Sequence, residues 1–269
     1  MIRFLFSILL TLNASIALAQ SDKRKLTDRS DLYGWEAVGR LDIGTRSFCT
    51  GTLIAQDLVL TAAHCALDRK TGNPYLPGEV TFRAGLSNGS ALADRKVVQI
   101  VAHPDYGTNA PLSPASVRTD VALMRLDAPI PYSIANPFAL HDGQALSDEV
   151  SIASYGRGRA DAITRERSCN ILDRVQGLIL FNCDITFGSS GSALLARKGS
   201  RWQILSVVSA VSVDERGKIG FGMELSGIVS ELRSTMRKRA PQPKAEIRRL
   251  RVGSGKSGSG AKFIRPDGS

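Results

Sequence analysis

Short runs of apolar and β-branched residues, separated by Gly, Pro, Asn and Asp, recur along the chain from residue 31 onwards. Such runs at nearly regular spacing are typical of strands in an antiparallel barrel or sandwich. The pattern therefore predicts an all-β domain. The predicted strands are Trp35–Leu41, Thr52–Ile54, Leu58–Ala62, Val80–Arg83, Lys96–Val101, Val121–Leu126, Glu149–Ser154, Leu178–Phe181, Ala193–Ala196, Trp202–Val211 and Gly220–Leu225.

One segment near the end of this domain has a different period. Its apolar residues recur three or four positions apart, at Leu225, Ile228, Val229, Leu232 and Met236. A single apolar face at that spacing predicts an amphipathic helix over residues 226–238. We expect this helix to close a domain that spans residues 31–238.

Residues 1–19 have the order of a secretory signal peptide. Arg3 precedes an apolar run over Phe4–Leu12, and the small residues of Ala17–Ala19 follow as a cleavage site. A retained membrane anchor is the alternative, but the run is shorter than the roughly 20 residues that a spanning helix needs. We therefore expect cleavage after this segment, secretion to the periplasm or the extracellular medium, and a flexible polar leader over residues 20–30.

The net charge of +10 is concentrated at the C-terminus. The segment Arg237–Ser269 holds ten basic and two acidic residues, and without it and Arg3 the chain has 24 basic and 23 acidic residues. This segment is rich in Gly, Ser, Pro and Lys, so it cannot bury enough apolar surface to offset its ordering entropy. The composition predicts a disordered basic tail over residues 239–269.

The charge of this tail would attract an anionic surface or polymer. A solvated or proteolytically trimmed extension is the alternative. Because Phe263 is its only aromatic residue, the tail lacks the stacking platform on which single-stranded nucleic acids bind. We expect no specific nucleic-acid partner, and we expect the protein to be a monomer.

Four cysteines in an exported chain indicate two disulfides. They lie in two local clusters, Cys49 with Cys65 and Cys169 with Cys183, and three pairings of the four are possible. Pairing within each cluster would close loops of about 15 residues. Zinc binding is the alternative, but the chain has no Cys-x-x-Cys and only three His residues. We therefore expect no metal and no cofactor.

Two stretches combine residues suited to acid–base chemistry. In the first, an apolar strand ends at His64, and a bond from the next residue, Cys65, back to Cys49 would fix the backbone that carries the imidazole. A general base needs such a fixed position to stay within reach of its target. In the second, Asp120 precedes an apolar strand, where an unpaired carboxylate would be costly. Pairing with His64 would remove that cost and orient the ring.

A third stretch, residues 183–195, places Ser190 between glycines in a tight loop that leads into an apolar strand. Glycines allow backbone N–H groups to converge on one point, which is the arrangement that stabilises an oxyanion. Each of the three stretches is weak evidence by itself. Together they supply the residue types of a base, a carboxylate that orients it, and a hydroxyl beside an oxyanion site.

The three stretches resemble the sequence motifs of the trypsin-like serine peptidases, in the family's order of His, Asp and Ser. The matching segments are Leu60–Cys65, Asp120–Leu123 and Gly188–Ser192, with Val150–Gly158 resembling the entry to the second barrel. The resemblance covers about residues 31–236 and is nearer to secreted bacterial members, such as glutamyl endopeptidases, than to animal digestive enzymes. It implies two six-stranded antiparallel β-barrels with the active site in the cleft between them.

The resemblance implies a serine endopeptidase that cuts protein or peptide substrates through an acyl-enzyme. Ser190 would be the nucleophile and His64 the general base, and Asp120 would orient the imidazole. The N–H groups of Gly188 and Ser190 would form the oxyanion hole. The main alternative is a catalytically silent binding protein of the same fold, but such relatives usually lack the His or the Ser, and both are present here.

The resemblance also implies a substrate-binding strand and a primary specificity residue. Ser209, Ala210 and Val211 match the edge strand onto which an extended peptide adds by β-pairing. Asp184 lies six residues before Ser190, where trypsins place the acid at the base of their specificity pocket, and such an acid would favour Lys or Arg. Cleavage after Lys or Arg is therefore expected slightly ahead of cleavage after small apolar residues, with Glu third.

The sequence departs from the trypsin pattern near Asp184. Trypsins have a cysteine between the aspartate and the serine, whereas Cys183 here precedes Asp184. The alternative is therefore that a different tether turns this carboxylate away from the pocket and makes it structural. The resemblance implies the histidine-loop disulfide Cys49–Cys65. The pair Cys169–Cys183 is expected from its spacing and from similar bacterial relatives.

The sequence departs from animal trypsins at the residue before the nucleophile as well. Those enzymes place an aspartate there, which pairs with a freshly cut N-terminus, whereas this chain has Ser189. A serine cannot supply the negative charge that would compensate for burying an ammonium. We therefore expect the oxyanion loop to form without that ion pair.

Overall fold

The computed structural model describes residues 23–44, 47–143, 147–215 and 217–239. The predicted signal peptide and the predicted basic tail beyond Arg239 lie outside these residues. Two closed barrels of six antiparallel strands each make up most of the described part. The fold predicted from the sequence is confirmed.

The first barrel is built from the N-terminal half of the domain. Its strands follow the order β2-β3-β4-β7-β6-β5 around the barrel. They are β2 Val38–Ile43, β3 Ser47–Ala55, β4 Leu58–Thr61, β5 Val80–Ala84, β6 Ala93–Ala102 and β7 Ala122–Leu126. Inward-facing side chains fill the interior, and those of Leu41, Leu53 and Phe82 are fully buried. Gly39 is needed beside them, because a Cβ there would lie 2.3 Å from the Phe82 ring.

The second barrel closes through the order β8-β9-β10-β13-β12-β11 and back to β8. Its strands are β8 Glu149–Gly156, β9 Arg159–Val175, β10 Leu178–Phe181, β11 Ala193–Lys198, β12 Arg201–Asp214 and β13 Gly217–Met223. Ile152, Phe181 and Leu194 are central to its separate apolar core. A short N-terminal strand, β1 Lys23–Lys25, adds to β9 outside the barrel, with Lys23 opposite Glu166.

Two helices complete the fold. The predicted closing helix is confirmed as α2, Ile228–Arg239. It packs against the first barrel, where the Gln99 side chain of β6 donates a hydrogen bond to the Met236 carbonyl at 2.9 Å. A shorter helix, α1 Pro114–Thr119, begins at a capping box formed by Ser113 and Ser116. No helix among the described residues is both long and apolar enough to cross a membrane.

The structure differs from the sequence prediction at the N-terminus and in β9. Residues 20–30 were expected to be a flexible leader, but Lys23–Lys25 forms β1, and the side chain of Leu26 is 3% exposed. The 17-residue strand β9 was not predicted. Its outer face carries charged side chains, so its apolar positions are too sparse to show a strand period.

Both predicted disulfides are present, Cys49–Cys65 in the first barrel and Cys169–Cys183 in the second. The first joins β3 to the short 3-10 turn Ala63–Cys65, and the second joins β9 to the segment that leads towards Ser190. Each bond therefore restrains the backbone close to one of the residues with candidate chemistry.

Candidate active site

His64 and Asp120 lie side by side because the strands next to them are paired. His64 is in the 3-10 turn after β4, Asp120 comes two residues before β7, and Thr61 of β4 is opposite Ala122 of β7. The His64 Nδ1 atom is 2.7 Å from Asp120 Oδ2, and the His64 backbone N–H donates to Asp120 Oδ1 at 2.9 Å. His64 thus binds both oxygens of the Asp120 carboxylate, and Asp120 is only 3% exposed.

A third donor to this carboxylate comes from the second barrel. The Ser209 hydroxyl donates to Asp120 Oδ2 at 2.6 Å. Hydrogen bonds of this kind compensate for the cost of burying a carboxylate. The sequence identified Ser209 only as part of a substrate-binding strand. A single hydroxyl in the apolar run Val207–Val211 was the one signal that could have indicated this contact.

Tyr106 is a further neighbour of Asp120 that the sequence did not identify. Burial of the ring raises the pKa of Tyr106 to about 12, and the Asp120 carboxylate raises it too. Tyr106 therefore stays protonated at neutral pH and does not compete with His64 as a base.

Ser190 lies in the loop between β10 and β11, and backbone contacts dock this loop on the first barrel. The Ser190 carbonyl accepts a hydrogen bond from the Thr50 N–H at 2.9 Å. The next residue, Gly191, has a φ of +79°, and a Cβ on it would lie 2.1 Å from Thr61 Oγ1 and 3.0 Å from the nitrogen of Ala62. Only glycine fits there, and this close approach places Ser190 beside the turn that carries His64.

The structure therefore brings His64 and Asp120 into direct contact and places Ser190 next to them. Among the described residues, no hydrogen bond joins Ser190 Oγ to His64. In enzymes without bound substrate this bond is often long, and it shortens in the substrate complex.

Two peptide planes set the direction of the predicted oxyanion-hole donors. The Phe187 carbonyl accepts from the Arg157 N–H at 2.7 Å, and the Ser189 carbonyl accepts from the Ser192 N–H at 3.0 Å. In a planar trans peptide the N–H points away from the preceding carbonyl. The N–H groups of Gly188 and Ser190 are therefore turned away from these partners, and neither donates to an acceptor within the described residues.

Ser189 is fully buried in the position where animal trypsins hold an aspartate. Its Oγ lies 3.1 Å from Ser154 Oγ and accepts from the Thr186 N–H at 3.3 Å. A guanidinium is already present, because Arg159 Nη2 lies 3.4 Å from Ser189 Oγ and 3.1 Å from the Asp184 carbonyl oxygen. An N-terminal ammonium inserted here would meet the Arg159 guanidinium, and Ser189 would offer it no carboxylate.

Among the described residues, one group of metal-binding residue types lies close enough together to share an ion, formed by Cys49, His64 and Cys65. Its two sulfur atoms are joined in a disulfide. A cysteine binds a metal as its thiolate, so the two sulfur atoms are not available as ligands and His64 alone does not make a metal centre.

A family model described as Trypsin matches residues 27–230. The chain belongs to the trypsin family. The match covers both barrels and ends within α2, and the strand β1 lies before it.

Similar proteins include the CLIP domain-containing serine protease HP8 of Bombyx mori, which is 27% identical over 66% of this chain and 59% of its own length. Serine protease 23 of Mus musculus is 28% identical over 58% of this chain and 44% of its own length. The chain thus spans about half the length of the curated relatives it matches. A solved structure, titled "Structure of Glu endopeptidase in complex with MPD", covers 82% of this chain and 99% of that chain with a TM-score of 0.66. At 19% identity it shows the shared fold.

In this trypsin-family chain, the predicted substrate strand is an open edge. Ala210 and Val211 of β12 pair with Phe221 and Gly220 of β13 on one side. On the other side, β11 pairs with β12 only as far as Val207. No described strand covers the edge beyond that point, so its backbone groups are available to an extended peptide.

The Asp184 carboxylate is not free in this member of the trypsin family. Lys23 Nζ lies 2.6 Å from its Oδ2 atom, and Lys218 Nζ lies 2.7 Å from its Oδ1 atom. Burial by itself would raise the pKa of Asp184, but hydrogen bonds from Lys218 and Lys23 lower that pKa below its ordinary value. The sequence could not indicate these partners, because Lys23 lies 161 residues and Lys218 lies 34 residues from Asp184 along the chain.

Proposed function

We propose that the protein is a secreted serine endopeptidase that hydrolyses peptide bonds through His64, Asp120 and Ser190. The observation that supports this most strongly is the contact of His64 with Asp120, beside a loop whose Gly188 and Ser190 N–H groups have no acceptor in the described part of the chain. Membership of the trypsin family supports the same reaction class.

The tautomer of His64 follows from its contact with Asp120. A carboxylate only accepts hydrogen bonds, so Nδ1 carries the proton and Nε2 of the neutral ring is left as an acceptor. The nitrogen that faces away from Asp120 is then able to take a proton from Ser190 Oγ. Asp120 would also stabilise the imidazolium that forms.

In the first half of the reaction, Ser190 Oγ attacks the carbonyl carbon of the scissile bond and His64 Nε2 takes the hydroxyl proton. The N–H groups of Gly188 and Ser190 donate to the resulting oxyanion, at roughly 3 kcal/mol per donor. The C–N bond then breaks, and His64 returns the proton to the leaving amine. Water, activated by His64, hydrolyses the acyl-enzyme and restores Ser190.

Protein or peptide substrates fit the open edge at Ser209, Ala210 and Val211. A peptide added there as an antiparallel strand would lie beside Ser190, because the Gly191 N–H already donates to the Val208 carbonyl at 2.8 Å. Backbone pairing explains affinity for extended chains without a sequence requirement.

A peptide-library digest tests the proposal against the catalytically silent alternative. We expect the chain that begins at Gln20 to generate new peptide termini, which mass spectrometry identifies, and the Ser190→Ala variant to generate none above background. Peptides that bind to both proteins without being cut would support the silent alternative.

Secretion is part of this proposal. Disulfides persist in oxidising compartments, and both disulfides of this chain restrain the site. The predicted signal peptide would direct export. The attraction of the basic tail to an anionic surface, and the monomeric state, remain predictions.

Primary specificity is expected to depend little on Asp184. Two lysines already neutralise its carboxylate, so a substrate Arg would have to displace one of them to gain a comparable ion pair. We therefore expect kcat/KM for Arg, Ala and Glu peptide substrates to differ by less than about tenfold, since a single weak pocket contact contributes about 1.4 kcal/mol.

The variant Asp184→Ala should change the Arg-to-Ala ratio by less than about threefold, since such a ratio isolates differential transition-state binding. Asp161→Ala is a matched control, because Asp161 also pairs with a lysine of β1, Lys25, at 2.6 Å. A strong preference for Arg that disappears in Asp184→Ala and persists in Asp161→Ala would show that Asp184 recognises the substrate.

The N-terminal segment is expected to support activity and not to block it. The side chains of Leu26 and Leu32 are 3% and 2% exposed, and burying two leucines contributes about 3 to 6 kcal/mol. A chain beginning at Gln20 should hydrolyse peptides without further cleavage, and a chain beginning at Trp35 should have a lower Tm and lower activity. An inert chain from Gln20 that one cut before Trp35 activates would contradict this expectation.

A further inference from the structure

Thr50 of the first barrel is hydrogen-bonded to the two residues that flank Ser189 in the chain, Gly188 and Ser190. It lies in β3 next to Cys49 of the disulfide and is fully buried. Its N–H donates to the Ser190 carbonyl at 2.9 Å, and its hydroxyl donates to the Gly188 carbonyl at 2.8 Å. The same hydroxyl accepts from the Tyr155 N–H of β8 at 3.0 Å.

The direction of the Thr50 hydroxyl follows from its two partners. The Tyr155 backbone nitrogen can only donate, so it occupies a lone pair of Oγ1. The Gly188 carbonyl can only accept, so it receives the hydroxyl proton. A methyl group in place of the hydroxyl would leave a buried donor on β8 and a buried acceptor on the loop without these partners.

The hydrogen bond from the Thr50 hydroxyl is accepted at a glycine of this loop. Gly188 has a φ of +95°, and glycine crosses between backbone conformations more easily than other residues. The Arg157 N–H holds the carbonyl that precedes Gly188, and Thr50 holds the carbonyl of Gly188 itself. Both peptide planes beside this residue are then restrained, with its N–H directed towards the oxyanion position.

The ion pair between an aspartate and a new N-terminus is missing from this loop, because Ser189 stands where the aspartate would be needed. We propose that Thr50 is a positioning residue whose side-chain hydroxyl holds the oxyanion loop in its active conformation in place of that ion pair. This inference rests on the proposed function, since it assigns Thr50 a role in the same reaction. Thr50 would act through Gly188 and not touch the substrate.

The test compares Thr50→Val, which keeps the shape and loses the hydroxyl, with Thr50→Ser, which keeps the hydroxyl. We expect kcat of Thr50→Val to fall about 10- to 100-fold and KM to change by less than about threefold. The loss of kcat should be smaller than the roughly 10²- to 10³-fold loss that follows removal of an oxyanion donor, because the donor is misplaced and not removed. Thr50→Ser should stay within about threefold of the parent protein, because the same hydroxyl is retained. A peptide boronic acid, which forms a tetrahedral adduct on Ser190, should lose affinity for Thr50→Val by a similar factor.

Thr52→Val is the matched control. Thr52 lies in the same strand, is 1% exposed, and its hydroxyl has no hydrogen-bond partner among the described residues. It should keep the kcat and the boronic acid affinity of the parent protein. If Thr50→Val does not fold, Thr50→Ala is measured in its place.

The outcomes separate this inference from the proposed function. If the parent protein neither cuts peptides nor binds the boronic acid, the proposed function fails. If the parent protein is active and Thr50→Val equals it in kcat, only the role of Thr50 is overturned. The role is also overturned if Thr50→Ser loses as much kcat as Thr50→Val, because the effect would then come from packing.

Discussion

Replacing Ser190 with alanine is expected to lower kcat by more than about 10⁴-fold, and replacing His64 with alanine is expected to have an effect of the same size, because members of a triad act as a unit. The expectation rests on the contact of His64 Nδ1 with Asp120 at 2.7 Å and on the docking of the Ser190 loop beside that histidine. The double variant should lose hardly more activity than either single one. Steady-state hydrolysis of a peptide ester and a peptide amide measures all three.

Ser192→Ala provides a matched control for Ser190→Ala. Ser192 lies in the same loop, is fully buried, and its hydroxyl has no hydrogen-bond partner within the described residues. Its replacement should leave kcat within about threefold of the parent protein, as is usual where no specific interaction is lost. Activity near that of the parent protein in Ser190→Ala or His64→Ala, with unchanged Tm, would exclude the proposed triad.

Replacing Gly188 with alanine is expected to lower kcat by about 10²- to 10³-fold, which is the usual loss when one oxyanion-hole donor is removed. Gly188 has a φ of +95°, and an added Cβ would lie 2.2 Å from the Phe48 ring. The added Cβ and the ring cannot share this space, and alanine is strained at a positive φ, so we expect the peptide between Phe187 and Gly188 to rotate. The Gly188 N–H would then leave the oxyanion position while Ser190 remains in place.

The control for this change is Gly199→Ala in the turn between β11 and β12. Gly199 also has a positive φ, +61°, but no atom lies within 4 Å of its added Cβ. Gly199→Ala therefore places alanine at a positive φ, as Gly188→Ala does, but its Cβ does not clash with another side chain. Comparing kcat, KM and Tm of the two variants separates the effect on the oxyanion hole from the effect on stability. Equal losses of kcat in both would show that Gly188 has no special role.

The barrels and the triad candidates could be predicted because local patterns encode them. Apolar alternation marks most strands, and the stretches around His64, Asp120 and Ser190 each combine a strand end with a chemically distinctive residue. The strand β9 escaped prediction because its outer face is charged. The strand β1 escaped because its three residues gain their pairing only from β9.

The contacts that refine the site could not be predicted, because they join residues that are distant along the chain. The Ser209 hydroxyl reaches Asp120 across 89 residues, and the Thr50 hydroxyl reaches Gly188 across 138. Single hydrogen bonds of this kind leave no periodic trace in a sequence. The neutralisation of Asp184 by Lys23 and Lys218 depends in the same way on how β1 and β13 come together.

The proposed triad requires that His64 activates Ser190 as a nucleophile. Labelling with a fluorophosphonate tests it most directly, because the reagent forms a stable adduct only with an activated serine. The intact mass of the chain beginning at Gln20 should increase by one adduct, which peptide mapping places on Ser190, and His64→Ala should not be labelled. Labelling of another residue, or equal labelling of the parent protein and His64→Ala, would contradict the claim.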